Sequence, residues 1–370
     1  VEKRLVVKVG TSSVTHPTGK LNLSGLEQVV RQVADAANAG WEVALVTSGA
    51  VGAGLGRLGW SRRPVTIPEK QAVAAVGQSL LMQVYEKLFG AYGLTIAQIL
   101  LTREDVADRR RYLNARTTLL TLLSYGVVPV INENDTVAVE ELKFGDNDTL
   151  SALVAGLVSA DLLVILSDID GLYTADPRFC PEARLLPRVE EITPEIEALA
   201  GGAGTAGGTG GMATKLAAAR IATSCGVNVV IANAARPAVL QNALAGTAVG
   251  TWFPARERLV ARKRWIAFNV PPAGRLIVDD GARRALAERG KSLLPSGLLA
   301  VEGEFEAGDA VAILGPDGVN FARGLTNYSS TDLDRVKGLH SAELAEVLGE
   351  RFYEEVVHRD NLVLLSRGGE

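Results

Sequence analysis

The sequence predicts an α/β protein: a mainly parallel, open sheet sandwiched by helices, followed by a small β-rich module. Three observations carry that prediction. Through the first two thirds of the chain, continuous apolar runs of strand length alternate with helical segments, the pattern of a parallel sheet covered on both faces. Beyond about residue 274 the text changes to short β runs spaced by Pro/Gly turns, as in a small barrel-like module. The 370 residues exceed the roughly 100–200 of one ordinary domain, and at 47% hydrophobic and 22% charged they suffice to build cores rather than a disordered chain.

The elements follow in order. Arg4-Leu-Val-Val-Lys-Val-Gly10 reads as a first strand ending in glycine, and Ser24 to Ala39 has helical spacing. Glu42 to Thr47 is a second buried strand, ending at Ser48-Gly49. Pro68 to Tyr92 reads as a long helix, with proline at its start and glycine at its end. Thr95–Leu101, Val127–Asn132, Leu162–Ser167 and Val227–Ala232 are further β-rich runs. Ligands in such sheets gather outside the C-terminal ends of the strands, which marks Gly10, Ser48, Asn132 and Ser167 before any motif is considered. At Arg256 to Arg264 basic residues crowd together with only Glu257 opposing them. After it come Arg275–Val278, Gly297–Val301, Asp309–Leu314, the turn Gly315–Gly318 and Gly324-Leu325. The expected organisation is an α/β domain over 1–255, a linker over 256–273, the β-rich module over 274–352 and a tail over 353–370. No internal repeat is evident, and only Gly201 to Gly211 is of low complexity.

Composition excludes several classes. Thirty-eight basic against forty-two acidic residues, a net charge of -4, is too balanced for a chain built mainly to coat nucleic acid. No apolar run reaches the roughly 18 residues of a membrane span, and Val1 to Gly10 lacks the features of a signal peptide. Cys180 and Cys225 are too few for a disulfide framework. A soluble, cytoplasmic protein is the expectation. His16, His340 and His358 lie outside the marked strand exits, which argues against histidine acid–base chemistry, and no Cys/His spacing resembles a zinc site.

Several segments can carry chemistry, each with a plainer alternative. Lys8 sits near the end of the first strand before Gly10-Thr-Ser-Ser13, either emerging into a site or snorkelling from an edge strand. Thr47 to Gly54 is glycine-rich, suited to an anion or to a tight turn. Gly54 to Gly59 and Gly202 to Gly207 both spell G-x-G-x-x-G, yet neither stands between a strand and a helix. Gly207-Gly-Thr-Gly-Gly-Met-Ala-Thr-Lys215 leads into a good helix former, so backbone amides and a lysine converge as a polyphosphate requires; a flexible linker is the alternative. It is not a Walker A motif, and Gly290-Lys-Ser292 lacks the upstream glycine that would make it one. Asn132-Glu-Asn-Asp-Thr136, Phe144-Gly-Asp-Asn-Asp-Thr149 and Ser167-Asp-Ile-Asp170 cluster acidic and amide groups at strand exits, where they serve as caps and turns, or hold an amino group, orient lysines or assist a metal ion. Two lysines, amide-rich loops and no obvious general base fit phosphoryl transfer to an acceptor already ionised, such as a carboxylate.

Together, Val7-Lys-Val-Gly-Thr11, Val46-Thr-Ser-Gly-Ala-Val-Gly52, Asn132-Glu-Asn-Asp135, Phe144-Gly-Asp-Asn-Asp148, Leu166-Ser-Asp-Ile-Asp-Gly-Leu-Tyr173 and Gly207 to Lys215 resemble the amino acid kinase family, in its order, over residues 1 to about 255. The set is most similar to the members that phosphorylate glutamate, and the region from about 274 to 352 resembles the PUA module that many of them carry. The resemblance implies ATP-dependent phosphorylation of the γ-carboxylate of L-glutamate to L-glutamyl 5-phosphate, on the route to proline. It implies that Lys8 and Lys215 neutralise the transferring phosphoryl group, that Asp148 holds those lysines, and that Gly10 and Gly49 donate backbone N–H groups. Ser48, Asp135 and Asn147 match glutamate-binding positions. Lys8, Ser167, Asp168, Thr209, Gly210, Gly211, Met212, Ala213, Thr214 and Lys215 match nucleotide-binding positions. Mg²⁺ is expected to arrive with ATP, without an all-protein cage. Feedback inhibition by proline, a homo-oligomer and a functional link to glutamate-5-semialdehyde dehydrogenase are also implied.

Three other readings compete. Acetylglutamate, carbamate and uridylate kinases share the family, but the Asn132–Asp135 and Gly145–Asp148 loops and the PUA-like region favour glutamate. An RNA-binding PUA protein is opposed by residues 271–352, where nine Lys/Arg face thirteen Asp/Glu; only the basic segment Arg256 to Arg264 supports it. A nicotinamide dehydrogenase is opposed by the context of both glycine matches.

Overall fold

The computed structural model describes residues 3–16, 18–60, 62–138, 146–200, 211–255, 272–340, 343–348 and 353–365. The chain divides into two units, Val1–Arg258 and Leu259–Glu370. Residues 256–271 of the expected 256–273 linker, most of the low-complexity stretch and Phe144-Gly145 lie outside the described residues.

In the first unit, seven strands are Lys3–Val9 (β1), Trp41–Val46 (β2), Ile96–Leu101 (β3), Val128–Glu133 (β4), Leu162–Ser167 (β5), Asn228–Asn233 (β6) and Gly250–Phe253 (β7). They form one sheet in the order β3-β4-β2-β1-β5-β6-β7. Every neighbouring pair is parallel except β6 with β7. The first six strands and the helices Leu23–Asn38 and Ile67–Gly90 fall within a residue or two of their expected places. β7 was not anticipated, since a four-residue strand containing Gly250 and Thr251 carries no apolar run long enough to read.

The pleat of β1 sorts its side chains between two apolar layers. Leu5, Val7 and Val9 pack with the helices Leu23–Asn38 and Ile67–Gly90. Val6 enters the opposite layer, with the helices Asn147–Leu157 and Met212–Ser224. Two residues on from Val6, Lys8 is directed to that same second face. The chain leaves β1 toward β2 on one side, whereas β5 leads to β6 on the other. The C-terminal ends of β1 and β5 therefore meet at the point where the winding reverses, the usual place for a ligand crevice.

The helix Ala50–Leu58 lies in backbone contact with Ile67–Gly90. A Cβ at Gly54 would stand 1.9 Å from the Val73 carbonyl oxygen, and one at Gly77 would stand 1.7 Å from that of Ala50. The first G-x-G-x-x-G match is thus explained by packing: Gly54 and Gly56 are inside a helix and Gly59 ends it in the left-handed region. The Ile67–Gly90 helix is fixed at its start by a reciprocal capping box between Thr66 and Glu69.

The second unit holds β8 (Gly274–Val278), β9 (Leu298–Glu302), β10 (Ala310–Leu314), β11 (Asn320–Leu325) and β12 (Leu362–Leu364), in the order β12-β11-β10-β8-β9. The β8–β10 pair is parallel and the others antiparallel. Residues 353–365, expected as a tail, belong to this sheet and its core: β12 pairs with β11, Val356 and Val357 are buried, and Val357 bridges to Leu293. A three-residue strand following the turn Arg359–Asn361 is too short for periodicity to reveal. Gly290 ends the helix Asp280–Arg289, so Gly290-Lys-Ser292 closes a helix instead of opening one. No helix among the described residues is long and apolar enough to cross a membrane.

Candidate active site

At the exits of β1, β2, β4 and β5, two hydrogen-bonded groups stand side by side. The first centres on Asp148. It lies in the first turn of the Asn147–Leu157 helix, whose N-cap, Asp146, accepts from the Thr149 amide at 2.7 Å. Asp148 Oδ1 meets Lys8 Nζ at 2.6 Å, and Oδ2 meets Lys215 Nζ at 3.2 Å. The Thr214 hydroxyl has two acceptors in reach, Asp148 Oδ2 at 2.9 Å and the Gly211 carbonyl at 2.8 Å. Relative exposure is 6% for each lysine and 1% for Asp148, so all three charges are withdrawn from water.

Such burial decides the electrostatics. Burial drives the Lys8 ammonium below the ordinary lysine value, and the charge of Lys215 adds to that; Asp148 works in the opposite direction without cancelling it. Burial pushes Asp148 up, but the ammonium groups of Lys8 and Lys215 outweigh it and hold the carboxyl below its usual range. Asp146 is pushed up, first by burial and then by Asp148. Two ammonium groups share one carboxylate, leaving a positive charge in a buried place. A buried charge of that kind calls for a counter-ion.

The second group is a chain of amides. Asn147 Nδ2 has three acceptors within reach: the Thr47 carbonyl at 2.7 Å, Ser48 Oγ at 2.9 Å and Asn132 Oδ1 at 2.9 Å. Asn132 Nδ2 in turn donates to Gln78 Oε1 at 2.8 Å. The Thr47 hydroxyl lies 2.7 Å from that of the fully buried Tyr85, whose phenol is pushed up to about 12 by burial. Asp135 follows on the turn beyond β4, half-buried.

Two helix starts complete the edge. Gly211 is the N-cap of Met212–Ser224, and no side chain caps it. The amides of Met212, Ala213 and Thr214 precede the first helical hydrogen bond, an arrangement that favours an anion. Gly49 is the N-cap of Ala50–Leu58, at φ +93, likewise without a side-chain cap. Gly10 differs from Gly49. A Cβ there would find only ordinary contacts, the nearest being Lys8 Nζ at 3.6 Å. At the β5 exit, buried Ser167 donates to exposed Asp168 at 3.1 Å. Beside it Asp170 is held by Arg236 and Asn233 at the end of β6.

The expected residues therefore divide. Lys8, Asp148, Thr214 and Lys215 are in mutual contact, Ser48 joins Asn147, and Ser167 joins Asp168, while Gly10, Gly49 and Gly211 border them at the same strand ends. Thr209 and Gly210 lie outside the described residues. Sequence reasoning missed Gln78 and Tyr85, and it marked Thr47 only as part of the glycine-rich strand exit. Gln78 sits within a long helix, and its only signal is an amide on a side that packs inward.

Residues 3–233 match the model of the amino acid kinase family, and residues 274–348 match that of the PUA domain. A buried charge cluster at the strand ends of an open parallel sheet accords with that class, and the chain belongs to the amino acid kinase family. It is 58% identical to the glutamate 5-kinase of Moorella thermoacetica over 98% of this chain and 97% of the relative. The glutamate 5-kinase of Caldanaerobacter subterraneus subsp. tengcongensis is 55% identical over 99% and 98%. That of Carboxydothermus hydrogenoformans is 58% identical over 98% of both chains. Within the family, then, its place is among the glutamate 5-kinases.

Proposed function

We propose that the chain transfers the terminal phosphoryl group of ATP to the γ-carboxylate of L-glutamate, giving L-glutamyl 5-phosphate for proline biosynthesis. One observation carries the chemistry: Lys8 and Lys215 are clamped by a single buried carboxylate, Asp148, where a polyanion would be the missing counter-charge. The acceptor needs no general base, because a carboxylate with a pKa near 4 is ionised at neutral pH. What the reaction demands is charge stabilisation and alignment. Lys8 and Lys215 neutralise the transferring group, Asp148 fixes both ammonium positions beforehand, and the amides of Gly10 and Gly49 donate to phosphoryl oxygens.

The amino acid is assigned to Ser48, Asp135 and Asn147, with Asp135 facing its ammonium group. The nucleotide is assigned to Lys8, Ser167, Asp168 and the stretch Thr209 to Lys215. Both oxygens of Asp148 are engaged by lysines, so the central carboxylate is not free to ligate a metal. Mg²⁺ bound to the phosphates would supply further charge neutralisation. Proline shares the α-amino and α-carboxyl groups but lacks the reacting carboxylate, and is proposed to compete for the Asp135–Asn147 region. A cytoplasmic homo-oligomer with a functional link to glutamate-5-semialdehyde dehydrogenase completes the reading.

The direct test mixes the protein with ATP, Mg²⁺, L-glutamate and hydroxylamine. An acyl phosphate gives a hydroxamate, whereas phosphorylation on nitrogen or a hydroxyl group does not. ADP release without hydroxamate would refute the assignment. Asp135→Ala and Asn147→Ala should raise the KM for glutamate and weaken proline inhibition together. Unchanged proline inhibition alongside collapsed glutamate binding would separate the two sites.

A further inference from the structure

Gln78 carries an unexplained cost. Its side chain is only 9% exposed, and its Oε1 accepts from Asn132, yet its Nε2 is buried without any hydrogen-bond partner. A buried amide donor left unsatisfied is costly, so such groups are rare unless something else completes them. The orphan stands at the end of an ordered chain, Ser48–Asn147–Asn132–Gln78, in which Ser48 and Asn147 belong to the proposed amino-acid site and Asn132 links them to Gln78.

Position in the sheet says which end of the acceptor it meets. The lysines and Asp148 gather at the exit of β1, Ser48 follows β2, and Asn132 ends β4, the next strand outward. Neighbouring strands are about 4.8 Å apart, so β1 to β4 spans about 10 Å, enough for an acceptor whose reacting carboxylate lies at β1. The far end of such a molecule, with its α-carboxylate and ammonium, then falls beside β4. An N–H donor suits a carboxylate oxygen and repels an ammonium group.

We propose that Gln78 is a specificity-determining residue: its Nε2 donates to the α-carboxylate of the amino acid while its Oε1 holds the Asn132 amide in the orientation that Asn147 requires. The proposal rests on the reading of this site as a glutamate site. Gly77, whose missing Cβ lets this helix touch the backbone of Ala50, sets how close Gln78 comes to the strand ends.

The test uses the full chain and three proteins. Gln78→Leu removes donor and acceptor, whereas Gln78→Glu keeps an acceptor for Asn132 and puts a negatively charged acceptor in place of the donor. Loss of a hydrogen bond to a charged group predicts that both variants raise the glutamate KM about tenfold to a hundredfold, with the KM for ATP unchanged. A second measurement compares glutamate with 4-aminobutyrate, which lacks the α-carboxylate, as acceptor at high concentration. The preference for glutamate in kcat/KM should shrink in Gln78→Leu by a similar factor. A wild-type glutamate KM in Gln78→Glu, or an unaltered preference in Gln78→Leu, would overturn the proposal. Failure of the underlying reading shows elsewhere, as a wild-type protein that forms no hydroxamate with glutamate.

Discussion

Two glycines at neighbouring strand exits need opposite explanations. Gly49 is at φ +93, and a Cβ there would stand 2.8 Å from Val14 Cγ1, so Gly49→Ala should cost about 1–3 kcal/mol of stability, readable by denaturant unfolding. Gly10 has ordinary backbone angles and room for a methyl group, whose nearest neighbour is the Lys8 ammonium. Gly10→Ala should therefore leave stability within about 0.5 kcal/mol while lowering kcat about a hundredfold, because the methyl occupies the approach to Nζ. A Gly10→Ala protein with normal kcat would remove that backbone from the reaction. Lys8→Ala and Lys215→Ala should each lower kcat by orders of magnitude in a folded protein. Asp148→Asn should do the same with a larger loss of stability, since it leaves two buried ammonium groups uncompensated. The pH dependence has a definite sign. Lys8 binds its proton less tightly when folded, so between its lowered folded value and the ordinary 10.5, deprotonation favours the folded state while abolishing the charge. Activity should consequently fall on the alkaline side before the protein unfolds. On the acid side, the stability Asp148 contributes is present above its ordinary value of 3.8 and is lost as pH falls through its depressed folded value.

Among the elements, the helix pair Ala50–Leu58 and Ile67–Gly90 positions one wall of the proposed amino-acid site. Gly77→Ala would drive a methyl into the Ala50 carbonyl, so the helices must separate. Destabilisation of about 1–3 kcal/mol is expected, together with a raised glutamate KM, since Gly49 and Gln78 sit at the contact. Gly90→Ala, in the same helix with nothing within 4 Å, is the control that should preserve both. Sheet strands were legible because six of seven are apolar runs of sufficient length, and strand exits are marked by the residue that breaks each run. Lys8, Asp148 and Lys215 were reached from ordered motifs, but their mutual contact depends on Asn147–Leu157 and Met212–Ser224 packing on one face of β1, which no local pattern states. Gln78 was illegible for a related reason: one amide on a helix has no period, and its meaning comes from Asn132, fifty-four positions away. β7 and β12 failed by length, being four and three residues long.

The two units of the molecule differ in what they contribute to the proposed chemistry. Every described residue assigned to substrate or nucleotide lies before 216, within Val1–Arg258. A chain ended near Arg258 should still form the hydroxamate, although assembly or regulation can change. A soluble, folded truncation without activity would show that the second unit completes the enzyme. Residues 271–352 carry a local excess of acidic side chains, so the intact protein should bind RNA weakly at physiological salt. Tight, salt-sensitive binding in a filter or anisotropy assay would assign the second unit a role beyond catalysis.

The alternation along β1 has a consequence for folding as well as for chemistry. Side chains on a strand change face at every residue, so a slip of one position against β2 or β5 would exchange the two faces. Lys8 would then enter the layer that holds Leu5, Val7 and Val9, and a valine would stand against Asp148. That mispaired sheet would bury an ammonium group in hydrocarbon and strand a carboxylate opposite it, a penalty far larger than one misplaced methyl group. The charge proposed to meet the nucleotide thus also rejects the wrong pairing of the central strand, long before any substrate arrives.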